Sequence, residues 1–379
     1  MKILFINSVC GIGSTGRICT DLATQLEAQG HTVKIAYGRD DTVPPQFEKY
    51  AVKIGTALDR NLHALLTRTF DLHGFGSKTA TRRFLQWADA YDPDLVWLHN
   101  IHGYYIHVEM LFAWIKSRPD MQVKWTLHDC WAFTGHCSYF TAVGCKQWES
   151  ECKKCPQMNR YPKCYGLGDV GRNYRRKKAA FCGVRHMQLI VPSHWLEGLV
   201  KQSFLQEYPV EVVYNTIDTT IFKPTPSNFR QRYGLQGKKM ILGVASTWDE
   251  RKGLNDFVEL AGMLDEHYVI VLVGLTPKQM KKMPSNIIGV PRTNSPAELA
   301  GIYTAADVFV NLSHEENYPT VNLEAQACGT RVVAYDVGGS RETRKSEYFV
   351  VCNDHIGNAL EDIGSFTNEK QNRLRNSMG

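Results

Sequence analysis

Short apolar runs rich in β-branched residues recur along the first half of the chain, and longer stretches with helical spacing separate them. Continuous apolar runs of this kind are typical of strands buried on both faces of a parallel sheet. We predict strands at Lys2–Asn7, Thr32–Tyr37, Leu95–Leu98, Val123–Leu127, Gln188–Val191 and Val210–Val213. The alternation of strands and helices indicates a doubly wound α/β sheet.

The second half repeats this alternation with its own elements. The predicted strands are Met240–Ala245, Tyr268–Val273, Ile287–Val290, Val308–Asn311, Arg331–Ala334 and Tyr348–Val351. The predicted helices include Leu254–Leu264, Pro296–Ala305 and Pro319–Cys328. Turn-forming and polar residues between Asn215 and Lys238 mark a junction. We therefore predict two Rossmann-like domains, at residues 1–214 and 215–355, followed by a short polar tail at 356–379.

The composition is that of an ordinary folded protein rather than a disordered or fibrous one. The chain has 379 residues, 43% of them hydrophobic and 22% charged, enough for two domains with separate cores. A net charge of +6 is too small for a nucleic-acid-binding protein but suits anionic substrates or an anionic membrane surface. Since no apolar run could span a bilayer and the first residues are unlike a signal peptide, we expect a cytoplasmic protein.

A glycine-rich loop follows the first predicted strand. Gly13 and Gly16 belong to a Gly-x-Gly-x-x-Gly motif, which lets backbone N–H groups approach a diphosphate at a helix N-terminus, predicted here near Ile18. The same motif also fits a tight turn between strand and helix. A nicotinamide dinucleotide would in addition need an acid after the second strand, a place that Asp40 and Asp41 fill. The sequence leaves these three interpretations open.

Two acidic residues accompany the helix that follows strand Val308–Asn311. Pro319 suits the first helical position and Gly329 is a natural stop, so Glu316 lies in the loop and Glu324 inside the helix. Both carboxylates can face the carboxyl end of the sheet and accept hydrogen bonds from sugar hydroxyls. A stabilised helix dipole would explain Glu316, but it would not explain Glu324.

Two adjacent cations, Arg251 and Lys252, follow strand Met240–Ala245. A solvated helix start is the usual explanation for such a pair. Their position at the same sheet end as Glu316 favours ligand binding instead, because parallel sheets bind ligands at the carboxyl ends of their strands. Two cations at that end suit a diphosphate leaving group.

Taken together, these motifs resemble the retaining glycosyltransferases of family 4. The resemblance rests on Arg251-Lys252-Gly253 and on Glu316 and Glu324, with seven residues between the two acids. It extends over nearly the whole chain, through Asn215–Asp218, Ala306–Asn311 and Asp336–Gly339. Within the family, the stretches Leu127–Trp131 and Thr134–Cys137 are similar to the exopolysaccharide subgroup that includes colanic-acid-type glycosyltransferases.

The resemblance implies a GT-B fold, in which two Rossmann-like domains face a cleft that binds a UDP or GDP sugar. It implies that Arg251 and Lys252 hold the diphosphate and that Glu324 holds the ribose hydroxyls. Glu316, with the backbone at Asn317 and Tyr318, would hold and orient the donor sugar. No catalytic cofactor or catalytic metal is implied.

The first domain also contributes residues according to this resemblance. Gly13 and Gly16 would close the phosphate side of the donor site. His128 matches the family's histidine near the sugar, where it would hydrogen-bond the donor or the acceptor; a buried core histidine is the other explanation. His99 and His102 are weaker candidates. The tail departs from the resemblance, since the last helix of relatives crosses back onto the first domain while residues 356–379 are short and polar here.

The resemblance implies sugar transfer, with retention at the anomeric carbon, to a hydroxyl of a lipid-linked glycan in polysaccharide biosynthesis. In that mechanism the leaving diphosphate takes the acceptor proton, so stabilising its charge by Arg251 and Lys252 is the principal catalytic device. A nucleotide-sugar epimerase, a phosphorylase or a non-catalytic nucleotide-sugar-binding partner would use a similar cleft. The presence of both acids and both cations argues against the non-catalytic alternative.

A cysteine-rich loop, residues 130–164, lies in the first domain. Cys137, Cys145, Cys152 and Cys155 have the spacing of tetrahedral zinc ligands in a polar loop that has little else to order it. We predict a structural, non-catalytic zinc there, with free thiols or a disulfide as the alternatives.

A basic cluster follows this loop on a predicted helix. Its members are Arg172, Arg175, Arg176, Lys177 and Lys178. A solvated helix face is the default explanation. Since acceptors in the exopolysaccharide branch are commonly lipid-linked, we also expect docking of this cluster on an anionic membrane surface, at the inner face of the cell membrane.

Overall fold

The computed structural model describes residues 1–353 and 355–365 and divides the chain into two compact units, Met1–Val213 and Tyr214–Gly379. The predicted tail is described only as far as residue 365. Residues 356–365 are helical, and Ile356, Ala359 and Ile363 pack into the core of the second unit. The rest of the predicted tail, 366–379, lies outside the described residues.

The first unit is built on a seven-stranded sheet with the order β3-β2-β1-β4-β5-β6-β7, and all its strand pairs are parallel. The strands are β1 Lys2–Ile6, β2 Thr32–Tyr37, β3 Ala51–Lys53, β4 Leu95–Leu98, β5 Gln122–Thr126, β6 Met187–Val191 and β7 Val210–Val212. The helices are α1 Gly13–Ala28, α2 Ala57–Phe70, α3 Lys78–Tyr91, α4 Val108–Lys116, α5 Val170–Phe181 and α6 His194–Val200.

The second unit is built on a six-stranded parallel sheet with the order β10-β9-β8-β11-β12-β13. Its strands are β8 Lys239–Val244, β9 Tyr268–Val273, β10 Ile287–Val290, β11 Val308–Asn311, β12 Arg331–Tyr335 and β13 Phe349–Cys352. Its named helices are α7 Phe229–Arg232, α8 Leu254–Met263, α9 Pro277–Met280, α10 Pro296–Ala305 and α11 Thr320–Ala327.

Local sequence explains where several helices begin. Thr56 caps α2, and its hydroxyl accepts from the Asp59 N–H while the Asp59 carboxylate accepts from the Thr56 N–H. Ser295 caps α10, and Pro296 occupies the first helical position, where a missing N–H costs nothing. These signals are local, so the alternation of strands and helices can be read from the sequence.

Both sheets agree with the predicted doubly wound class, and two details differ. Strand β3 was not predicted, because its three residues form a partly buried edge strand directly after a 3₁₀ helix at Pro45–Tyr50. Helix α1 starts at Gly13 rather than near Ile18. The positive φ of Gly13 (64°) belongs to the turn that opens the helix, so the glycine loop is itself the first helical turn.

Candidate active site

The strand order of the second sheet reverses between β8 and β11. These two strands are neighbours although two other strands separate them in the sequence. At such a switch point the loops that leave the two strands diverge and open a crevice at the carboxyl ends. The loops in question, 245–253 after β8 and 312–319 after β11, contain the cations and the first acid predicted from the sequence.

The two loops approach each other closely at Gly253. Its φ is +70°, and a Cβ atom there would lie 2.1 Å from the Leu312 carbonyl oxygen. Only glycine combines this left-handed backbone with so close an approach. The Arg251 carbonyl accepts a hydrogen bond from the His314 N–H (2.9 Å), so the two loops are fixed to each other by backbone contacts.

The predicted cations and acid meet at this crossing. The Lys252 ammonium forms an ion pair with the Glu316 carboxylate, and the Arg251 guanidinium donates to the Glu315 carbonyl (3.1 Å). Glu316 is only 6% exposed. Burial raises its pKa, but the charges of Lys252 and Arg251 and a hydrogen bond from Lys252 outweigh it and hold the pKa below its ordinary value. Glu316 is therefore an anion at neutral pH.

A chain of buried amides holds the 312–319 loop. Asn311, the last residue of β11, accepts from the Ser313 hydroxyl (2.7 Å) and donates to Asn322 (3.0 Å) in α11. Asn322 in turn donates to the Thr343 hydroxyl (3.0 Å). Because all four side chains are buried, each hydrogen bond would be costly to lose, and the loop that carries Glu316 is fixed at both ends.

The second predicted acid lies in α11, as expected, although Pro319 is the residue before the helix rather than its first residue. Glu324 is 8% exposed, and one carboxylate oxygen accepts from the Tyr303 hydroxyl (3.0 Å). Tyr303 is fully buried, and burial followed by the charge of Glu324 raises the pKa of its hydroxyl well above the ordinary value. The tyrosine therefore remains a hydrogen-bond donor that orients Glu324.

Asn317 and Tyr318, between the two acids, are both buried. The Tyr318 ring stacks on Tyr214, with 5.0 Å between ring centroids. The Tyr318 hydroxyl is buried and has no hydrogen-bond partner among the described residues. Burial raises its pKa to about 12, so it stays protonated and can donate to a ligand.

The first sheet has its own switch point, between β1 and β4. The predicted Gly13 and Gly16 follow β1 and form the first turn of α1. Within this fully described helix, no side chain caps the N-terminus and the first turn holds no acid. Such a turn presents unpaired N–H groups and the positive end of the helix dipole. Of the two acids in the nicotinamide interpretation, Asp41 pairs with Arg60 (2.8 Å) and Asp40 accepts from the Thr42 N–H (3.1 Å), so both carboxylates have partners within the chain.

The loops after β4 and β5 line a small cavity in the first unit, with a volume of about 10 Å³. A hydrogen bond joins His99 Nδ1 and His128 Nε2 (3.0 Å). Burial lowers the pKa of His128 to about 4. The predicted His128 is therefore neutral. His102 lies beside it and contacts both Asp129 (Nε2 to Oδ2, 3.1 Å) and the Tyr161 hydroxyl (3.3 Å).

The cysteine-rich loop does not form the predicted metal centre. Among residues 1–353 and 355–365, no group of three or more His, Cys, Asp or Glu side chains is arranged to hold a metal ion. All four predicted ligands, Cys137, Cys145, Cys152 and Cys155, line one cavity, but Cys137 and Cys155 hydrogen-bond each other. Backbone N–H groups donate to Cys152 and Cys155. The structure therefore does not support the zinc prediction, and none of the eleven cysteines forms a disulfide.

The basic cluster on α5 is only partly a solvated face, since Arg172, Arg175 and Lys178 are exposed while Lys177 is buried. Lys177 is 1% exposed, donates to the Trp131 carbonyl (2.8 Å) and lies 3.5 Å from the centre of the Trp131 ring. Arg176 makes a bidentate pair with Glu109 (2.7 and 2.6 Å), and Arg175 pairs with Glu151. Since Lys177 lies inside the unit and two arginines are paired, this helix offers an anionic surface fewer cations than its sequence suggests.

The buried Lys177 predicts a pH-dependent stability. Burial lowers its pKa to about 7, against 10.5 in the unfolded chain, so the unfolded state binds the extra proton between these values. The free energy of unfolding should therefore rise with pH over this range, by up to about 1.4 kcal/mol per pH unit. Lys177→Met should reduce this rise. The fluorescence of the tryptophans, seven of eight in the first unit, would follow unfolding at pH 7 and 9. An identical rise in both proteins would contradict the assignment.

Several residues that support the candidate site were not predicted from the sequence. Asn311 and Ser313 had a recognisable signal, since a polar residue at the carboxyl end of a buried strand commonly serves a site. Tyr303 had none, because an aromatic residue in an apolar helix is ordinarily a core residue. Asp129 lies beside the predicted His128 and was missed because its partner His102 comes from another loop.

Known proteins share both the sequence pattern and the fold. The family model for Glycosyltransferase Family 4 matches residues 15–221, and that for Glycosyl transferases group 1 matches residues 227–379. A colanic acid biosynthesis glycosyl transferase of Escherichia coli (strain K12), WcaC, is 24% identical over 90% of this chain and 85% of its own length. The processive diacylglycerol alpha-glucosyltransferase of Acholeplasma laidlawii is 29% identical over 39% of this chain and 48% of its own length.

Solved structures with low sequence identity share the fold. Sucrose-phosphate synthase from Thermosynechococcus elongatus superimposes with a TM-score of 0.67 and 16% identity, covering 100% of this chain and 99% of that chain. WaaG, a glycosyltransferase involved in lipopolysaccharide biosynthesis, gives 0.64 and 15%, covering 98% and 92%. Anabaena HepE in complex with UDP gives 0.63 and 15%, covering 98% and 91%.

The two parallel-sheet units and the solved structures that superimpose on them show a GT-B fold, as predicted. The chain belongs to glycosyltransferase family 4, whose model matches more than half of its residues.

Proposed function

We propose that this enzyme transfers a sugar from a nucleotide diphosphate, UDP or GDP, to a hydroxyl of a lipid-linked glycan, with retention at the anomeric carbon. One observation supports this most strongly: Arg251, Lys252 and the buried anion Glu316 meet at the carboxyl ends of β8 and β11. The two cations suit a diphosphate, and the fixed carboxylate beside them can accept hydrogen bonds from the hydroxyls of the attached sugar.

The cations supply the main catalytic effect in this proposal. As the bond between sugar and phosphate breaks, negative charge accumulates on the leaving diphosphate, and cations already in place stabilise it without reorganisation. Retention follows when the diphosphate takes the acceptor proton on the face it leaves. Glu316 orients the donor sugar rather than attacking it, since its carboxylate is engaged by Lys252 and Ser313.

Other residues bind the remaining parts of the substrates. Glu324, oriented by Tyr303, accepts hydrogen bonds from the ribose hydroxyls, and the backbone at Asn317 and Tyr318 contacts the donor sugar. In the first unit, the N–H groups at Gly13 and Gly16 favour a phosphate. The neutral His128 hydrogen-bonds the donor or the acceptor.

Relatives support the donor and the pathway assigned here. Anabaena HepE has been solved with UDP, with UDP and glucose and with UDP-glucose, so a nucleotide sugar suits this fold. The names of WcaC and WaaG refer to colanic acid and lipopolysaccharide biosynthesis. We therefore assign this chain to polysaccharide or glycolipid biosynthesis, acting peripherally at a membrane.

A panel of UDP and GDP sugars tests the proposal. The correct nucleotide should raise the unfolding temperature, because a ligand at about 100 times its Kd stabilises by about 2.7 kcal/mol. Incubation of that donor with extracts of lipid-linked glycans should then release the nucleoside diphosphate and lengthen the glycan. Interconversion of the donor sugar without any acceptor would instead indicate an epimerase.

Glu324 and Glu316 should bind different parts of the donor. Glu324→Gln should weaken binding of the bare nucleoside diphosphate by about 10- to 100-fold, because a hydrogen bond to a charged group contributes about 1.5–3 kcal/mol. Glu316→Gln should leave that binding nearly intact and impair sugar transfer. Calorimetry with the nucleotide alone separates the two variants, each of which serves as the control for the other. Equal losses of nucleotide affinity would refute this division.

A further inference from the structure

Helix α2 has an apolar face that points to solvent. Leu58, Leu62 and Leu65 are 78%, 55% and 58% exposed, and their spacing places them on one side of the helix. The side that packs inward carries the buried polar residues His63 and Thr67 instead. In an ordinary surface helix the leucines face the core and the polar side chains face solvent; in α2 this arrangement is reversed.

A neighbouring segment extends this apolar face. The N–H of Tyr165 donates to the Arg68 carbonyl (2.8 Å) and that of Leu167 donates to the Thr69 carbonyl (2.7 Å), so residues 165–167 run beside the last turn of α2. A Cβ atom at Gly166 would lie 2.3 Å from the Thr69 oxygen, which explains the glycine there. Tyr165 and Leu167 are 69% and 80% exposed.

We call this set the leucine surface. It comprises Leu58, Leu62, Leu65, Phe70, Tyr165 and Leu167. These are six of the twelve large hydrophobic side chains that are exposed in the described chain, although they come from two short segments. Single exposed apolar residues are ordinary, whereas a cluster of them is typical of a surface that binds a protein or a membrane.

Charges of both signs surround the leucine surface, but the acids are engaged in helix caps: Asp169, two residues after Leu167, accepts from the Arg172 N–H (2.8 Å). Arg68 on α2 and Lys163 in the adjoining segment are exposed. The acid within α2, Asp59, accepts hydrogen bonds from Thr56 in the capping box. Exposed leucines beside cations match the hydrocarbon boundary and the phosphate groups of an anionic bilayer.

We propose that the leucine surface docks the enzyme on an anionic phospholipid bilayer. The contact is interfacial, because no helix in the described ranges is both long and apolar enough to cross a membrane. It replaces the basic cluster of α5, whose Lys177 is buried. Leucines provide the apolar part of the binding and Arg68 with Lys163 the electrostatic part, the two signals that together give stable peripheral attachment.

The leucine surface is close in sequence to a residue that contacts the cavity of the first unit. Tyr161, four residues before Tyr165, reaches the cavity through its hydroxyl contact with His102 (3.3 Å). Because four residues span at most about 14 Å, docking of Tyr165 would bring this cavity near the bilayer, where a lipid-linked acceptor is held. This last step rests on the proposed function, whereas the docking itself does not.

Vesicle sedimentation of the full chain tests the docking. Leu58→Gln, Leu62→Gln and Leu65→Gln combined should lower partitioning onto phosphatidylglycerol/phosphatidylcholine vesicles at least tenfold. The matched control, Val143→Gln with Met263→Gln, removes exposed apolar side chains elsewhere and should bind within twofold of wild type. Arg68→Gln with Lys163→Gln should abolish the preference for anionic over pure phosphatidylcholine vesicles.

The outcomes separate the docking from the proposed function. Equal vesicle binding by wild type and the leucine variant would overturn the docking. So would a wild-type dimer, measured by light scattering, that the leucine variant dissociates, since a second copy would then cover the surface. Nucleotide binding, followed by thermal shift, should be unchanged in every variant. Docking without any nucleotide binding would refute the proposed function alone.

Discussion

Lys252→Ala should lower the turnover of sugar transfer by about 100- to 1,000-fold, because removal of one preorganised group that meets developing charge commonly has this effect. Donor affinity should change much less, since the charge on the diphosphate is larger in the transition state than in the bound donor. Steady-state kinetics with the accepted donor measures both quantities. Arg251→Ala should show the same pattern, and it also removes the hydrogen bond from the guanidinium to the Glu315 carbonyl.

The same substitution should change the ionisation of Glu316. Without Lys252, the effect of burial on Glu316 is opposed mainly by Arg251, so the pKa of Glu316 should rise. The residual activity should then begin to fall at a higher pH as the solution is made acidic. Lys282→Ala, which removes an exposed lysine of the same unit, is the matched control. Wild-type turnover in Lys252→Ala would show that this cation does not act on the leaving group.

Gly253→Ala should destabilise the second unit by more than about 2 kcal/mol. The left-handed backbone alone costs an alanine about 1 kcal/mol, and its Cβ would lie 2.1 Å from the Leu312 oxygen. Since the crossing of the two loops must then open, the cations should also move away from Glu316 and nucleotide binding should weaken. Thermal unfolding by circular dichroism and calorimetry with the nucleotide measure the two effects.

Gly262→Ala is the matched control for this substitution. Gly262 lies in α8, the helix that begins directly after Gly253, and a Cβ atom there would meet nothing within 4 Å. Alanine should therefore be neutral or slightly stabilising at that position. Wild-type stability in both variants would mean that the approach of the two loops does not depend on glycine.

The fold was largely predictable because strand signals are local. Every strand predicted from an apolar run is present, with ends shifted by at most about one residue. The missing strand, β3, has only three residues and is too short to be recognised alone, and it forms because β2 offers it a partner. Tertiary pairing, rather than propensity, creates such edge strands.

The positions of the candidate site residues could be predicted from the sequence, but their contacts could not. Arg251, Lys252 and Glu316 could be chosen because each follows a strand of one sheet, yet the ion pair of Lys252 with Glu316 depends on the strand order, which places β8 beside β11. The four cysteines of the zinc prediction show the same limit. Their spacing suggests that they lie close together, and all four do line one cavity, but it does not reveal that Cys137 and Cys155 hydrogen-bond each other.

Helix periodicity was informative for α5 and misleading for α2. Lys177 occupies the same helical face as Tyr174 and Phe181, so its burial could have been read from the spacing alone. On α2 the same rule would bury Leu58 and Leu62, whereas the structure buries His63 through hydrogen bonds to Ser77 and Leu72. A polar network can thus determine which face of a helix packs inward.

The separation of the apolar cores has a consequence for how such an enzyme changes over time. In the part of the chain that the structure describes, each apolar cluster draws its residues from a single unit. A substitution that loosens the packing around β8 therefore leaves the packing around β1 intact. Under the proposed function, the residues assigned to the donor in the second unit can then change without loosening the first unit, so a new donor sugar can arise within one architecture.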